Sequence, residues 1–310
     1  TCTLLCDPVS AFSCGAQVTT TSNGAGSSDR IDNWACNVFP LTGPEIIYSF
    51  VPDATGIATA DLTGLSADLD LLVIQDAADP GLLCDPSNNV DCVSGGSSSS
   101  SGTTDERARW NAIAGQTYYI IVDGYDEAAS DFTLRVHTAT QDILLNEVSY
   151  GIVDSVEVKN HGACTVDFAG ITIDHRPSLS STPISFSFPA GTNVAPRQVI
   201  RLVEVDSGPY LVNEFDVGVS FPDLAADAGY TALCNGSCDT TTCSNLLDYV
   251  ERDNILGDAN VPGGPGCASF DSPVASSGQS GEVSLHRAGF AGIVGGWIAA
   301  DWLFGATSRD

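Results

Sequence analysis

Asp68 and Asp70 stand two residues apart in Asp68-Leu69-Asp70-Leu71, so on a strand their side chains leave from one face. Asp76, Asp79, Asp85 and Asp91 crowd the stretch that follows. Calcium takes about six to eight oxygen ligands, which carboxylates and loop carbonyls supply together. Asp68, Asp70, Asp76 and Asp79 are the set expected to hold a calcium ion. A second acidic group comprises Asp123, Asp126, Glu127 and Asp131. No EF-hand spacing is present, and the competing role of these aspartates is to bond local backbone N–H groups in turns. No other cofactor is expected.

Four histidines, His137, His161, His175 and His286, are scattered along the chain. No metalloprotease, serine-hydrolase, phosphate-loop or dinucleotide motif accompanies them. A Ser-His-Asp site assembled from distant segments is recognised by geometry alone. The expectation is therefore no catalytic residue and no enzyme.

The chain has 11 cysteines in 310 residues. Cys2, Cys6, Cys14, Cys36, Cys84 and Cys92 form an even set, paired by sequence proximity as Cys2–Cys6, Cys14–Cys36 and Cys84–Cys92. Cys234, Cys238, Cys243 and Cys267 are expected to be bridged as well. With Cys164 the second half holds five, so one cysteine of the 11 is left over as a buried thiol, a link between subunits or a modified residue. A zinc site on Cys234, Cys238 and Cys243 is disfavoured, because export favours disulfides over thiolate ligands. The chain contains no methionine, so a processed N-terminus with its export signal removed is expected. Together these features place it as secreted, extracellular or at the cell surface.

Net charge is −28, with 4 basic and 18 acidic side chains in residues 1–140 and 7 and 21 in the remainder. Such a surface repels nucleic acid and anionic membranes. Residues 288–306 are apolar but hold five glycines and Asp301; core strands are expected there rather than stable membrane insertion.

Short β-rich runs separated by turn residues dominate. In the first half they are Glu45–Val51, Gly56–Leu62, Asp70–Gln75, Thr117–Asp123 and Asp131–Val136. Tyr118–Val122 is continuously apolar and is expected to lie between two layers. In the second half the runs are Ile143–Val148, Ser155–Lys159, Gly170–Asp174, Ile184–Phe188 and Gln198–Val205. Ser94–Thr104 is of low complexity and reads as an exposed loop. Asn235-Gly236-Ser237 is a glycosylation sequon. The expected architecture is all-β, with two consecutive disulfide-stapled β-sandwich domains. The first, jelly-roll-like, covers 1–140. The second, immunoglobulin-like, covers 141–310 with a long insertion at about 206–265.

Residues from about Cys14 to Val136 resemble the bacterial pre-peptidase C-terminal domain. The matching pieces are Ser13-Cys14-Gly15, Gly43-Pro44-Glu45 leading into Ile47-Tyr48-Ser49-Phe50, Asp68-Leu69-Asp70-Leu71, Ala114-Gly115-Gln116-Thr117-Tyr118-Tyr119, Val122-Asp123-Gly124 and Phe132-Thr133-Leu134. Residues from about Ile143 onward resemble a lamin-tail domain. That resemblance rests on Ile143-Leu144-Leu145-Asn146-Glu147-Val148, Asp154 to Asn160, Val166-Asp167-Phe168-Ala169-Gly170-Ile171 and Phe188-Pro189-Ala190-Gly191-Thr192. Both families are accessory modules, so the resemblance implies binding, spacing or assembly rather than catalysis.

The functional expectation is a secreted, non-catalytic structural or adhesive protein, including the repeating subunit of an extracellular fibre or sheath. Self-assembly through sheet edges or an intermolecular disulfide is the expected partnership. The alternatives are a monomeric calcium-dependent carbohydrate- or surface-binding accessory protein, and a hydrolase with an unrecognised site. Tyr125, Trp110 and Tyr210 are the aromatic residues expected at a binding face.

Overall fold

The computed structural model of the protein describes residues 7–75, 92–150, 155–176, 182–203, 214–216, 228–238, 245–253, 273–274, 283–287 and 302–305. The chain divides into two compact units. Unit 1 is Thr1–Ala139 with His161–Thr165, and unit 2 is Thr140–Asn160 with Val166–Asp310.

Unit 1 contains β1 (Ser10–Phe12), β2 (Gln17–Thr21), β3 (Ile46–Phe50), β4 (Gly56–Thr63), β5 (Leu69–Gln75), β6 (Cys92–Ser98), β7 (Glu106–Ala112), β8 (Tyr118–Gly124) and β9 (Asp131–His137). They form two sheets, ordered β1-β3-β8-β5-β6 and β2-β9-β4-β7. Alternation along each strand sends one set of side chains between the sheets. Ile46, Tyr48, Phe50, Leu69, Leu71, Val73, Tyr118, Ile120 and Val122 meet Ala58, Ala60, Leu62, Ala108, Trp110, Phe132, Leu134 and Val136 there. The small alanines of β4 and β7 leave room for Trp110, whose ring meets Phe50 edge-on at 6.1 Å and Tyr118 at 5.7 Å. Trp110 is thus a core residue, 2% exposed, and not part of a binding face.

The continuous apolar run of β8 has a second reason. Tyr119 and Ile121 point away from the sandwich and join Ile47, Leu72 and Ile74 in a smaller cluster. Ile31, Trp34 and Leu41 cover it from the loop before β3. The sheet is therefore buried on both faces, by a second sheet on one side and a loop on the other.

Two expectations about unit 1 are corrected. Cys92–Ser98, overlapping the Ser-rich stretch, is an edge strand paired to β5. An edge strand needs backbone pairing more than apolar side chains, so composition concealed it. Two of the cysteine pairs expected by sequence proximity, Cys14–Cys36 and Cys84–Cys92, also fail. Cys36 bonds Cys92, and Cys14 bonds Cys164, 150 residues away. Cys84 lies outside the described residues, as do Cys2 and Cys6.

The segment His161–Thr165 completes unit 1. Ile57 N–H donates to His161 O at 3.1 Å, and Ala163 N–H donates to Ile57 O at 2.8 Å. Thr138 Oγ1 donates to Cys164 O and accepts from Cys164 N–H, both at 2.9 Å. Ala163 and Cys164 are buried in the sandwich core. Gly56 permits this approach, because a Cβ there would sit 2.4 Å from Gly162 O.

Unit 2 is also two-layered. One sheet contains β10 (Ile143–Tyr150), β11 (Ser155–Asn160), β16 (Val199–Val203), β17 (Glu214–Asp216), β21 (Val283–Arg287) and β22 (Trp302–Gly305), in the order β17-β16-β11-β10-β21-β22. The other contains β13 (Ile171–Arg176), β14 (Ile184–Ser187), β18 (Ala228–Asn235), β19 (Leu246–Asp253) and β20 (Pro273–Val274), in the order β14-β13-β18-β19-β20. A short pair joins β12 (Val166–Asp167) to β15 (Asn193–Val194). Leu145, Val156, Val158, Ile200 and Leu202 pack against Ile171, Ile173, Phe188, Leu233 and Val250. The stretch 206–265 supplies β17, β18 and β19, and Cys234 at the end of β18 bonds Cys238. Cys243 and Cys267 lie outside the described residues. Residues 288–306 are described only at Trp302–Gly305. Among the described residues, no helix is long and apolar enough to cross a membrane.

Candidate functional site

The outer face of the β3-β8-β5 sheet carries carboxylates as well as apolar side chains. Asp70 is paired in register with Asp123 across β5 and β8. Both side chains are on the loop-covered face, in alternation with Leu72, Ile74, Tyr119 and Ile121. Glu45, one residue before β3, falls on the same face by alternation with Ile47. Asp70 is 4% exposed, and Asp123 and Glu45 are fully buried.

The loop between β2 and β3 supplies donors to each of them. Trp34 Nε1–H donates to Asp123 Oδ2 at 2.7 Å, and Gly124 N–H donates to Asp123 Oδ1 at 2.7 Å. Asn37 Nδ2–H donates to Asp70 Oδ2 at 2.9 Å. Ser28 Oγ–H donates to Glu45 Oε1 at 2.5 Å, and Arg30 N–H reaches both Glu45 oxygens at 3.1 Å. Gly43 N–H donates to Gly124 O at 2.9 Å. A Cβ on Gly43 would stand 2.5 Å from Ala128 O and 2.8 Å from Gly124 Cα, so only glycine lets the loop end close on β8 here. The Cys36–Cys92 bond ties the loop's middle to the opposite sheet edge.

Burial pushes the Asp123 carboxyl up to about 8; the Trp34 and Gly124 hydrogen bonds oppose the shift and the Glu45 and Asp70 charges add to it. Burial likewise raises Asp70 to about 6, opposed by Asn37 and reinforced by Asp68 and Glu106. Two buried carboxylates in register resist joint ionisation.

Asp68 and Asp70 of the expected calcium set therefore sit at and on β5, whereas Asp76 and Asp79 lie outside the described residues. Among the described residues no group of three or more metal-ligating side chains converges. Asp126 and Glu127 of the second acidic group form a turn. Both have left-handed backbones, φ 49° and 61°, and Ala128 N–H closes the turn on Tyr125 O at 3.0 Å. This is the arrangement of a type I′ turn.

That turn presents Tyr125 beside the covering loop. Tyr125 is 41% exposed, Phe39 58% and Val38 90%. The Phe39 and Tyr125 rings meet edge-on with centroids 6.3 Å apart. Phe39 and Val38 were not marked by sequence reasoning. The signal was available as two large apolar residues, Val38-Phe39, before Pro40 in a stretch without strand alternation. Tyr210 lies outside the described residues.

Among the described residues the histidines form no cluster with other metal-ligating side chains. His137 Nε2 faces Asp61 Oδ2 at 2.8 Å and its Nδ1 faces Thr138 O at 2.9 Å. The ring nitrogen not facing Asp61 thus meets a backbone carbonyl and not a hydroxyl or thiol. Arg107 Nε–H donates to the other Asp61 oxygen at 2.6 Å. Burial opposes ionisation of Asp61, but the His137 and Arg107 hydrogen bonds and charges outweigh it and bring the carboxyl down to about 2. His175 is buried, with Nδ1 at 3.0 Å from Thr231 Oγ1.

No protein-family model matches the chain, and no curated protein matches it. Among solved structures, the pre-peptidase C-terminal domain of a Bacillus anthracis collagenase aligns at 13% identity and a TM-score of 0.28, over 42% of this chain and 96% of that one. A periplasmic inhibitor of g-type lysozyme from Aeromonas hydrophila aligns at 15% identity and 0.22, over 40% and 84%. A β-galacturonidase from Eisenbergiella tayi aligns at 8% identity and 0.21, over 68% of this chain and 34% of that one. The first belongs to the family that residues 14–136 resemble.

Proposed function

We propose that this chain is a secreted, non-catalytic adhesive protein whose contact surface is the Val38–Phe39–Tyr125 patch of unit 1. One observation carries the reading: three large apolar side chains are exposed on backbone that is held in place. Cys36–Cys92, Trp34–Asp123, Asn37–Asp70 and Gly43–Gly124 hold the loop, and the turn at Asp126-Glu127 holds Tyr125. Exposed apolar groups that cluster mark a contact surface more often than scattered ones do. Aromatic anchors on fixed backbone lose little entropy on binding.

The disulfides place the protein in an oxidising compartment outside the cytosol. Release to the exterior, rather than retention in a periplasm, belongs to the proposal. So does the accessory character suggested by the pre-peptidase and lamin-tail resemblances. At −28 net charge, a neutral or cationic surface such as a polysaccharide fits the patch better than nucleic acid or an anionic membrane.

The test is cosedimentation with insoluble polysaccharides and whole cells, alongside light scattering, with calcium or with chelator. Phe39→Ser combined with Tyr125→Ser is compared with the unaltered chain. Retention lost in the variant, from a protein that scatters as one chain, supports the reading. Open-ended assemblies lost in the variant turn it into the fibre-subunit reading. Retention unchanged in the variant overturns the patch as the contact.

A further inference from the structure

We infer that the Cys14–Cys164 disulfide is a covalent force bypass, which removes most of unit 1 from the path of a pull applied between the chain's two ends. The inference does not depend on what the patch binds. It follows from where the bond lies in the chain and in the fold.

Cys14 lies between β1 and β2, at the start of unit 1, and Cys164 lies in the segment that completes the same unit. Their separation is 150 residues. Every strand from β2 to β9, together with β10 and β11, lies between them. A pull on the two ends therefore runs from the N-terminal side through Cys14, across the sulfur–sulfur bond, and out from Cys164. The residues between the two cysteines are a closed loop hanging off that path and carry none of the extension.

The bond is seated where a bypass has to be. Cys164 is 1% exposed and Cys14 is half-buried, which slows attack on the bond by a soluble reductant while the unit is folded. Thr138 holds the Cys164 peptide from both sides, and Ala163 N–H is bonded to Ile57 O. On the other side, Gly15 N–H donates to Val136 O and Val136 N–H donates to Ala16 O, at 2.8 and 3.1 Å. Both ends of the bond are thus anchored on strands that the closed loop itself contains. Cys36–Cys92, with a separation of 56 residues, is nested inside the larger loop.

An extended chain spans about 3.4 Å per residue, so the closed loop conceals roughly 50 nm of contour length. The loop within the loop conceals roughly 19 nm of that. For a protein that holds to a surface under flow, the consequence is direct: the unit that carries the exposed patch keeps its length under load.

The experiment is single-molecule stretching of the full chain with handles at both ends. The oxidised protein is expected to stop about 50 nm short of the length released by the Cys14→Ser, Cys164→Ser double variant after full reduction. In that variant without reductant, Cys36–Cys92 still closes its own loop, and the expected gain is about 30 nm. Should the double variant fail to fold, the unaltered protein held under load while a reductant is added provides the same reading. A total gain of about 50 nm is then expected once both bonds are cut, divided into steps of about 30 and 20 nm when Cys14–Cys164 is cut first. Release of the full length from the oxidised protein overturns the inference, as does a non-reducing peptide map in which Cys14 and Cys164 are not joined.

Discussion

Asp70 and Asp123 face each other in register across β5 and β8, both buried beneath a loop that donates one hydrogen bond to each. Like charges placed directly opposite on a sheet repel. The folded chain therefore retains a proton there that the unfolded chain releases. Asp70 rises to about 6 and Asp123 to about 8, against an ordinary aspartate value of about 4. A group raised on folding contributes stability that is complete below its unfolded value and is lost as pH rises through its folded value. Stability is thus expected to fall between about pH 4 and pH 8, with the pair titrating as a unit. Asp70→Asn keeps an oxygen for Asn37 and removes one charge. It is expected to leave stability near pH 4 unchanged and to raise it at pH 8 by on the order of 1 kcal/mol. Urea midpoints at the two pH values check this.

Asp61 behaves in the opposite sense. Its carboxyl is lowered to about 2 by His137 and Arg107, so its contribution is present above the unfolded value of about 4 and is lost as pH falls through 2. The Arg107 side chain is 57% exposed, and solvent screens that part of the interaction. Asp61→Asn is expected to cost under about 1 kcal/mol at pH 7, with most of that difference gone at pH 2. Thermal melts across that range provide the comparison.

The disulfides should rank by the loop each closes. Separations are 150, 56 and 4 residues for Cys14–Cys164, Cys36–Cys92 and Cys234–Cys238. The chain-entropy relation gives roughly 5, 4 and 2 kcal/mol. Replacing each pair by serines should lower the denaturation midpoint in that order. A larger loss from Cys234–Cys238 than from Cys14–Cys164 would contradict it.

Trp34 and Phe39 belong to one loop but should respond differently. Trp34 is 3% exposed and packs on Ile47, Leu72 and Ile121. Trp34→Ala should cost about 3–5 kcal/mol through the cavity it leaves, with a further loss from the Asp123 oxygen left without its donor. Phe39→Ser should stay within about 0.5 kcal/mol of the unaltered chain, because the ring is mostly in solvent. Equal losses would mean that Phe39 is a packing residue and not a contact.

Strands built on apolar side chains were legible in the sequence. The alternation and apolar runs of β3, β5, β8, β9 and β11 marked them to within a residue or two. β6 was not legible, because Val93-Ser94-Gly95-Gly96 pairs through its backbone and offers no pattern. Nor was the cysteine pairing, since proximity in space is set by strand order: β5 lies between β8 and β6 and brings Cys92 to Cys36. Asp70 was noticed for its spacing from Asp68, but its partner across the sheet is Asp123, 53 positions further along the chain. Trp34 could not be assigned, because a residue covering a sheet from an irregular loop obeys no period.

The buried Asp70–Asp123 pair fixes the loop that presents the exposed patch. Carbon-detected NMR titration of the side-chain carboxyls, with Asp70→Asn used to assign the signals, tests it most directly. At least one of Asp70 and Asp123 is expected to remain protonated above pH 6, and the Trp34 indole signal is expected to move with that titration. Both carboxyls titrating near pH 4, with the Trp34 signal unmoved, would contradict it.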